Sequence, residues 1–351
     1  MKLTLNQIRE ITSGIERIEE TDGLIRFYRF TEEQEDLYKR RSLDFYKKTF
    51  STAGVKLSFF TNSEKLYLKG NVFWGSSRSY YSIDIFVNQK MIGCIDNFSE
   101  DEMKGNYTGN ICSLDDFSKE FILGKGEKSV VIYLPWSVGI GLQDIIIDDN
   151  SFLQPVKYSK KLLAFGDSIT QGYDALRPSN RYISLLAEKI QSEELNKAIG
   201  GEVFFPELAK TEEAFMPDYI TVAYGTNDWN TKEKAEFKKN CKEFYEALSQ
   251  KFSTSNIFAI TPIWRKDGQE ERKMGDFMYI EEYIKEVVTN LKNVTYISGY
   301  DFVPENEVFF ADLRLHPNDN GFQKQFTRLY DKIKNHLWFL KNSLNNRKKC
   351  I

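Results

Sequence analysis

From residue 161 onward the chain alternates short apolar runs with long helical stretches, and this alternation restricts the fold more than any other feature. KLLAFG (161–166), DYITVAYG (218–225), NIFAITP (256–262) and NVTYIS (293–298) read as strands, with helices expected near 181–192, 231–251, 276–291 and 320–342. Such an alternation predicts a parallel sheet covered on both faces. In sheets of that kind the active site lies beyond the carboxyl ends of the strands. The texture upstream is different. VKLSFFT (55–61), KLYLKGNVF (65–73), SIDIFVN (82–88), KSVVIYLPW (128–136) and IGLQDIIID (140–148) are short β-rich runs separated by Gly, Asn and Asp clusters. They predict an antiparallel sandwich of jelly-roll type; early helix at 5–12 or 31–50 is compatible with an ambiguous pattern. At roughly 150 residues per domain, 351 residues make two domains. We expect a β-sandwich over 1–155 and an α/β domain over 156–351, joined through SFLQPVKYSKK (151–161), with Trp74 and Trp136 in the sandwich core.

Charge and composition exclude several classes. Lys+Arg 48 against Asp+Glu 51 leaves a net charge of −3, too weak a field to recruit nucleic acid or an anionic membrane. No apolar run approaches the ~20 residues a membrane helix needs, and the acid-bearing opening MKLTLNQIREITSGIERIEE lacks a signal peptide's apolar region. The expectation is a cytoplasmic protein with neither membrane nor nucleic-acid partner; the sequence leaves room for a homo-oligomer. Cys94, Cys112, Cys241 and Cys350 are scattered, without CxxC pairs, so free thiols are expected and neither a zinc site nor a disulfide framework. The sequons at Asn97, Asn106 and Asn293 carry little weight without a secretion signal, and NRKKCI is not a prenylation box.

The strand-end loops hold the chemistry. Gly166-Asp167-Ser168-Ile169-Thr170 follows the first strand and places a serine at the start of a helix. A serine there is often only an N-cap, but its hydroxyl faces the crevice and its backbone N–H can meet a developing oxyanion. A serine nucleophile needs a base, and the chain has two histidines. His336 sits among apolar residues in KIKNHLWFL and reads as structural, which leaves His316 in Asp312-Leu313-Arg314-Leu315-His316-Pro317. Asp312 is close enough in sequence to orient the imidazole. Asn196-Lys197-Ala198-Ile199-Gly200-Gly201 and Gly225-Thr226-Asn227-Asp228 end two further strands; each alone is an ordinary turn, but together they offer backbone and amide donors.

These four blocks resemble the SGNH hydrolases, the GDSL esterase family, over residues 160–342. The resemblance implies a three-layer, flavodoxin-like α/β hydrolase domain, with Ser168 as nucleophile and His316 as base. It implies an oxyanion hole of the Ser168 and Gly201 N–H groups and the Asn227 side chain, and hydrolysis of an acyl ester without cofactor or metal. The family has Asp-x-x-His, whereas Asp312 and His316 are four residues apart. Asp301 and Asp319 therefore stand as alternative partners for the imidazole, and Gly200 stands beside Gly201. Gly139-Ile140-Gly141 lacks the third glycine and the helix of a dinucleotide site.

The β half ahead of the hydrolase resembles bacterial two-domain SGNH esterases, many of which remove small acyl groups, often acetyl, from carbohydrates. A small-molecule or saccharide ester is the expected substrate. Tyr173, Asn180, Arg181, Phe204, Phe205, Glu207, Trp229, Trp264 and Arg265 fall in strand-end loops and either line a pocket or pack the loops. Arg181, Glu207 and Arg265 suggest a polar mouth, against a lipase or thioesterase acting on longer chains. A non-catalytic glycan-binding protein is the third reading, disfavoured because Ser168, Gly201, Asn227 and His316 are all present.

Overall fold

A computed structural model describes residues 1–103, 107–109 and 111–347, with side chains as far as residue 337. Asn106 and Cys350 lie outside the described residues. The upstream half forms two antiparallel sheets. One runs Thr12–Ser13, Lys56–Thr61, Lys128–Tyr133, Ser82–Val87, Lys90–Asp96, with Gln154–Pro155 also paired to Lys56–Thr61; the other runs Arg17–Thr21, Leu24–Tyr28, Val138–Ile147, Lys65–Trp74, Phe117–Ile122. The period-2 pattern decides what faces inward. In Lys65–Trp74, Leu66, Leu68 and Val72 join Leu57, Phe59, Ile83, Ile85, Val130 and Ile132 of the opposite sheet in one core. Trp136 is buried as expected, but Trp74 is 58% exposed. It shares the inward parity of Leu66, Leu68 and Val72 but closes its strand, beyond the end of the core.

The downstream half is a five-stranded parallel sheet in the order Ser192–Asn196, Lys160–Gly166, Tyr219–Ala223, Asn256–Ile260, Val294–Ile297. Helices Tyr182–Lys189, Lys234–Lys251, Met278–Val288 and Asp319–Arg347 cover it. Numbered along the chain the order is 2-1-3-4-5, so it reverses between the strand at 160–166 and its neighbour at 219–223, and a crevice opens at their carboxyl ends. Both faces are packed: Leu163, Phe165, Ile220 and Val222 face the helix at 234–251, while Leu162, Ala164 and Phe258 face those at 182–189 and 319–347. Among the described residues no helix is long and apolar enough to cross a membrane. Cys94, Cys112 and Cys241 are free thiols.

The two halves share their cores. Helices form at Leu5–Ile11, Glu32–Arg41 and Leu43–Lys48, the first two opened by capping boxes, Thr4 with Gln7 and Thr31 with Gln34. Phe30 and Tyr38 pack into one face of the parallel sheet, and Tyr80 and Trp136 into the other. Arg29 is fully buried between them. Its guanidinium donates to Ser51 O (2.6 Å), Ser51 Oγ (2.7 Å) and Lys48 O (3.3 Å) on its own half, and to Asn196 O (2.5 Å) and Ala198 O (3.2 Å) on the other. Burial, with Arg181 nearby, pulls its pKa down to about 9, so the bonds to carbonyls stand in for water. Arg29→Met strips donors from several buried carbonyls at once. Urea denaturation is expected to show a loss of about 3 kcal/mol or more.

Candidate active site

Ser168 opens a four-residue helix, Ser168–Gln171, directly after the first parallel strand. Asp167 caps it by accepting the Ile169 N–H (3.0 Å), and Gly172, at φ +115°, ends it in the left-handed region. A Cβ at Gly172 would lie 2.1 Å from the Arg181 side chain, so the turn requires glycine on two counts. Ser168 Oγ lies 2.8 Å from His316 Nε2, and His316 Nδ1 lies 2.9 Å from Asp312 Oδ2. The extra residue between Asp312 and His316 is absorbed locally. Leu313 takes a left-handed backbone, φ +56°, inside a loop closed by Ala311 N–H donating to His316 O (2.8 Å) and by a bridge between Phe310 and Pro317. Asp312 Oδ1 then accepts the N–H groups of Arg314, Leu315 and His316 at 3.0, 2.7 and 3.0 Å, leaving Oδ2 for the imidazole. Burial alone would raise the Asp312 carboxyl; the His316 hydrogen bond and charge, and the backbone donors, outweigh it and hold the group well below the ordinary carboxylate range.

The alternative acids point elsewhere. Asp301 meets Lys332 (2.8 Å) and Arg328 (3.6 Å) at the surface. Asp319 accepts from the Leu176 N–H (2.9 Å) and Asn180 Nδ2 (2.8 Å). His336 stands exposed on the last helix, with its ring edge toward Phe258 rather than in a core.

Around the serine, the Gly200 N–H donates to Gln171 Oε1 (2.7 Å). The Gly201 N–H, at φ +90°, and the Ser168 N–H have no acceptor among the described residues. Asn227 Nδ2 donates one hydrogen to Glu202 O (3.0 Å), which ties it to the residue after Gly201 and leaves its second hydrogen free. Gly200 is also closed off sterically, since a Cβ there would lie 2.5 Å from Tyr173, whereas at Gly201 the nearest atom is Phe45 at 3.8 Å. The upstream half thus reaches the rim: Phe45 faces Gly201, Lys48 Nζ donates to Gly200 O (3.1 Å), and Arg41 pairs with Glu202 (2.6 Å). Arg181 and Arg265 do not form a polar mouth. Both are buried, Arg181 against Glu194 (3.1 Å) and Arg265 against Asp267 (2.6 Å). Trp229 and Phe204 are buried packing residues as well, while Tyr173 stacks on the His316 ring (5.6 Å, 29°).

The sequence reading does not include Asp174, whose Oδ2 lies 3.4 Å from His316 Nδ1, or Arg78, which pairs with it at 2.8 Å. Neither falls in a recognisable block; the contact is created by the approach of the two halves. Asp174, Asp312 and His316 bring ligand-type atoms within 4.8 Å of one another. The cation that Asp174 meets is the Arg78 guanidinium, so the group reads as an imidazole–carboxylate cluster and not a metal cage.

A buried serine in hydrogen-bond contact with a half-buried imidazole at the switch point of a parallel sheet is the arrangement that a nucleophilic hydrolase of the α/β class needs. Residues 164–324 match the GDSL-like lipase/acylhydrolase family, so this segment of the chain is similar to that family's hydrolases. No curated protein matches it in sequence. Solved structures share the whole two-part architecture. The salicylyl-acyltransferase SsfX3 from a tetracycline biosynthetic pathway is 16% identical, with TM-score 0.74 over 93% of this chain and 95% of that one. A family two carbohydrate esterase from Clostridium thermocellum, in complex with cellohexaose, is 14% identical, with TM-score 0.62 over 82% and 94%. The acetyl xylan esterase Est2A from Butyrivibrio proteoclasticus is 17% identical, with TM-score 0.57 over 82% and 91%.

Asp228 gives the site a pH signature. Burial raises its carboxyl to about 8 against an acceptor role toward the Phe204 N–H, with Glu202 pushing the same way as burial. The folded chain therefore holds a proton that the unfolded chain releases above about pH 4, so this group's contribution to stability is full at low pH and is lost between about pH 4 and pH 8. Asp228→Asn keeps the acceptor and removes the charge. Denaturation midpoints taken at pH 5 and pH 8 are expected to lie closer together in the variant than in the wild type, through a gain at pH 8.

Proposed function

We propose that the protein is a serine esterase that removes short acyl groups, acetyl above all, from a carbohydrate or other small alcohol. The carrying observation is the chain of contacts Ser168 Oγ–His316 Nε2–Asp312 at 2.8 and 2.9 Å. In this reading Ser168 attacks the ester carbonyl while His316 takes its proton, and Asp312 fixes the imidazole tautomer and balances its charge. The N–H groups of Ser168 and Gly201 and the second Asn227 amide hydrogen receive the tetrahedral oxyanion. His316 then protonates the leaving alcohol, and water repeats the sequence to release the acid. The residues proposed to act sit in 156–351, with the sandwich portion 1–155 packed against them.

Carbohydrate esterases among the structures of similar fold support a sugar ester. The rim supports a small acyl group: Phe45 stands 3.8 Å from the position of a Gly201 Cβ, and Arg41 lies over the Phe45 and Phe205 rings at 4.7 and 4.5 Å. This wall crowds the space beside Gly201.

Hydrolysis of p-nitrophenyl esters from acetate to palmitate tests the reading. Acetate is expected to be the best substrate, and preference for palmitate would promote the lipase reading. Ser168→Ala is expected to lower kcat by roughly 10³ or more and Asp312→Ala by roughly 10³–10⁴, and Asn227→Ala to cost roughly 10²–10³. Asp301→Ala should leave turnover unchanged. Retained activity in Ser168→Ala would end the serine mechanism.

A further inference from the structure

Two carboxylates meet the same nitrogen of His316. Asp312 Oδ2 is 2.9 Å from Nδ1 and Asp174 Oδ2 is 3.4 Å from it. The second is costly to place there. Asp174 is fully buried and its backbone is left-handed, φ +70°, a region that residues with a side chain seldom occupy. Its anchors come from the upstream half: Arg78 Nε donates to Oδ1 (2.8 Å) and Nη2 to Oδ2 (3.2 Å), and the Tyr80 hydroxyl donates to Oδ1 (2.8 Å). The Arg78 guanidinium also lies 5.3 Å over the Tyr173 ring, which stacks on His316.

We infer that Asp174 is a positioning residue for His316, and that Arg78, reaching in from the β-sandwich half, sets how much of its charge the imidazole meets. The inference rests on the assignment of His316 as general base. As the ring takes the serine proton, positive charge develops at Nδ1–H. Asp312 accepts that hydrogen, and Asp174 supplies a second negative edge that Arg78 partly cancels. Without Arg78 the imidazolium would be held too strongly to hand its proton to the leaving alcohol. Without Asp174 the Arg78 charge would repel the imidazolium. The other groups about the ring are Asp167, with Arg265 behind it, Tyr173 and Ser168; the Arg314 side chain turns away to Asp267.

The chain's two histidines make the test direct, because an imidazole proton NMR titration shows two signals and His336→Gln assigns them. Asp174→Asn is expected to move the His316 midpoint to lower pH by about one unit, and Arg78→Gln to move it to higher pH by a comparable amount. The double variant should return close to the wild type. The acid limb of kcat/KM should follow in the same directions, and an unchanged near-UV circular dichroism spectrum reports that the fold is intact. Shifts of one sign in both single variants, or no shift in either, overturn the proposal. If Asp174→Asn does not fold, Arg78→Gln decides alone: an upward shift supports the proposal, and an unmoved or lowered midpoint overturns it. The titration needs no turnover, so it is read independently of whether Ser168→Ala abolishes activity.

Discussion

The buried Arg29 guanidinium ties the two halves of this molecule together. Arg29 has no carboxylate among its hydrogen-bond partners, so its charge is met by a ring of carbonyl dipoles and one hydroxyl drawn from two separate stretches of chain. Such a group tolerates burial only if every donor is matched, and the match exists only when residues 48–51 and 196–198 lie together. Ser51 passes the constraint onward. Its hydroxyl accepts from Gln171 Nε2 (3.2 Å), and Gln171 in turn holds the Gly200 N–H. The helix that carries Ser168 and the loop that carries Gly201 are thus fixed to one another by a side chain whose own position depends on the other half.

His316 is positioned by a different device. The loop from Phe310 to Pro317 is closed by backbone bonding, and the left-handed turn at Leu313 lets an acid four residues upstream reach Nδ1 while three N–H groups fix its other oxygen. The spacing between two motif residues matters less than the conformation of the residues between them. An insertion that would misplace the carboxylate in an extended segment is harmless where one residue can turn left-handed.

What the sequence revealed and what it hid separate by range of interaction. The alternation of apolar strands and helices and the four loop blocks depend on local patterns, so the parallel sheet, the serine, the histidine and the asparagine were legible. The capping boxes Thr4–Gln7 and Thr31–Gln34 were equally local and would have settled the early helices. Arg78, Asp174 and Gln171 were not legible, because their roles arise from contacts between residues 29 to 142 positions apart. Arg181 and Arg265 misled for the same reason: a strand-end loop looks like a mouth until the buried partners Glu194 and Asp267 are known. Trp74 misled through its place at the strand's end: it has the inward parity of Leu66 and Val72 but lies outside the cluster that they join.

Gln171 ends with the widest reach of any side chain in the site, touching Ser51, Trp136 and Gly200 with one amide. Its consequence is for modularity. A sandwich exchanged by recombination for another of the same shape would bring the wrong carbonyl and hydroxyl to that amide, and the serine helix would lose its reference point. The two halves are therefore not interchangeable parts, and a change at their seam is felt through the geometry of a single glutamine.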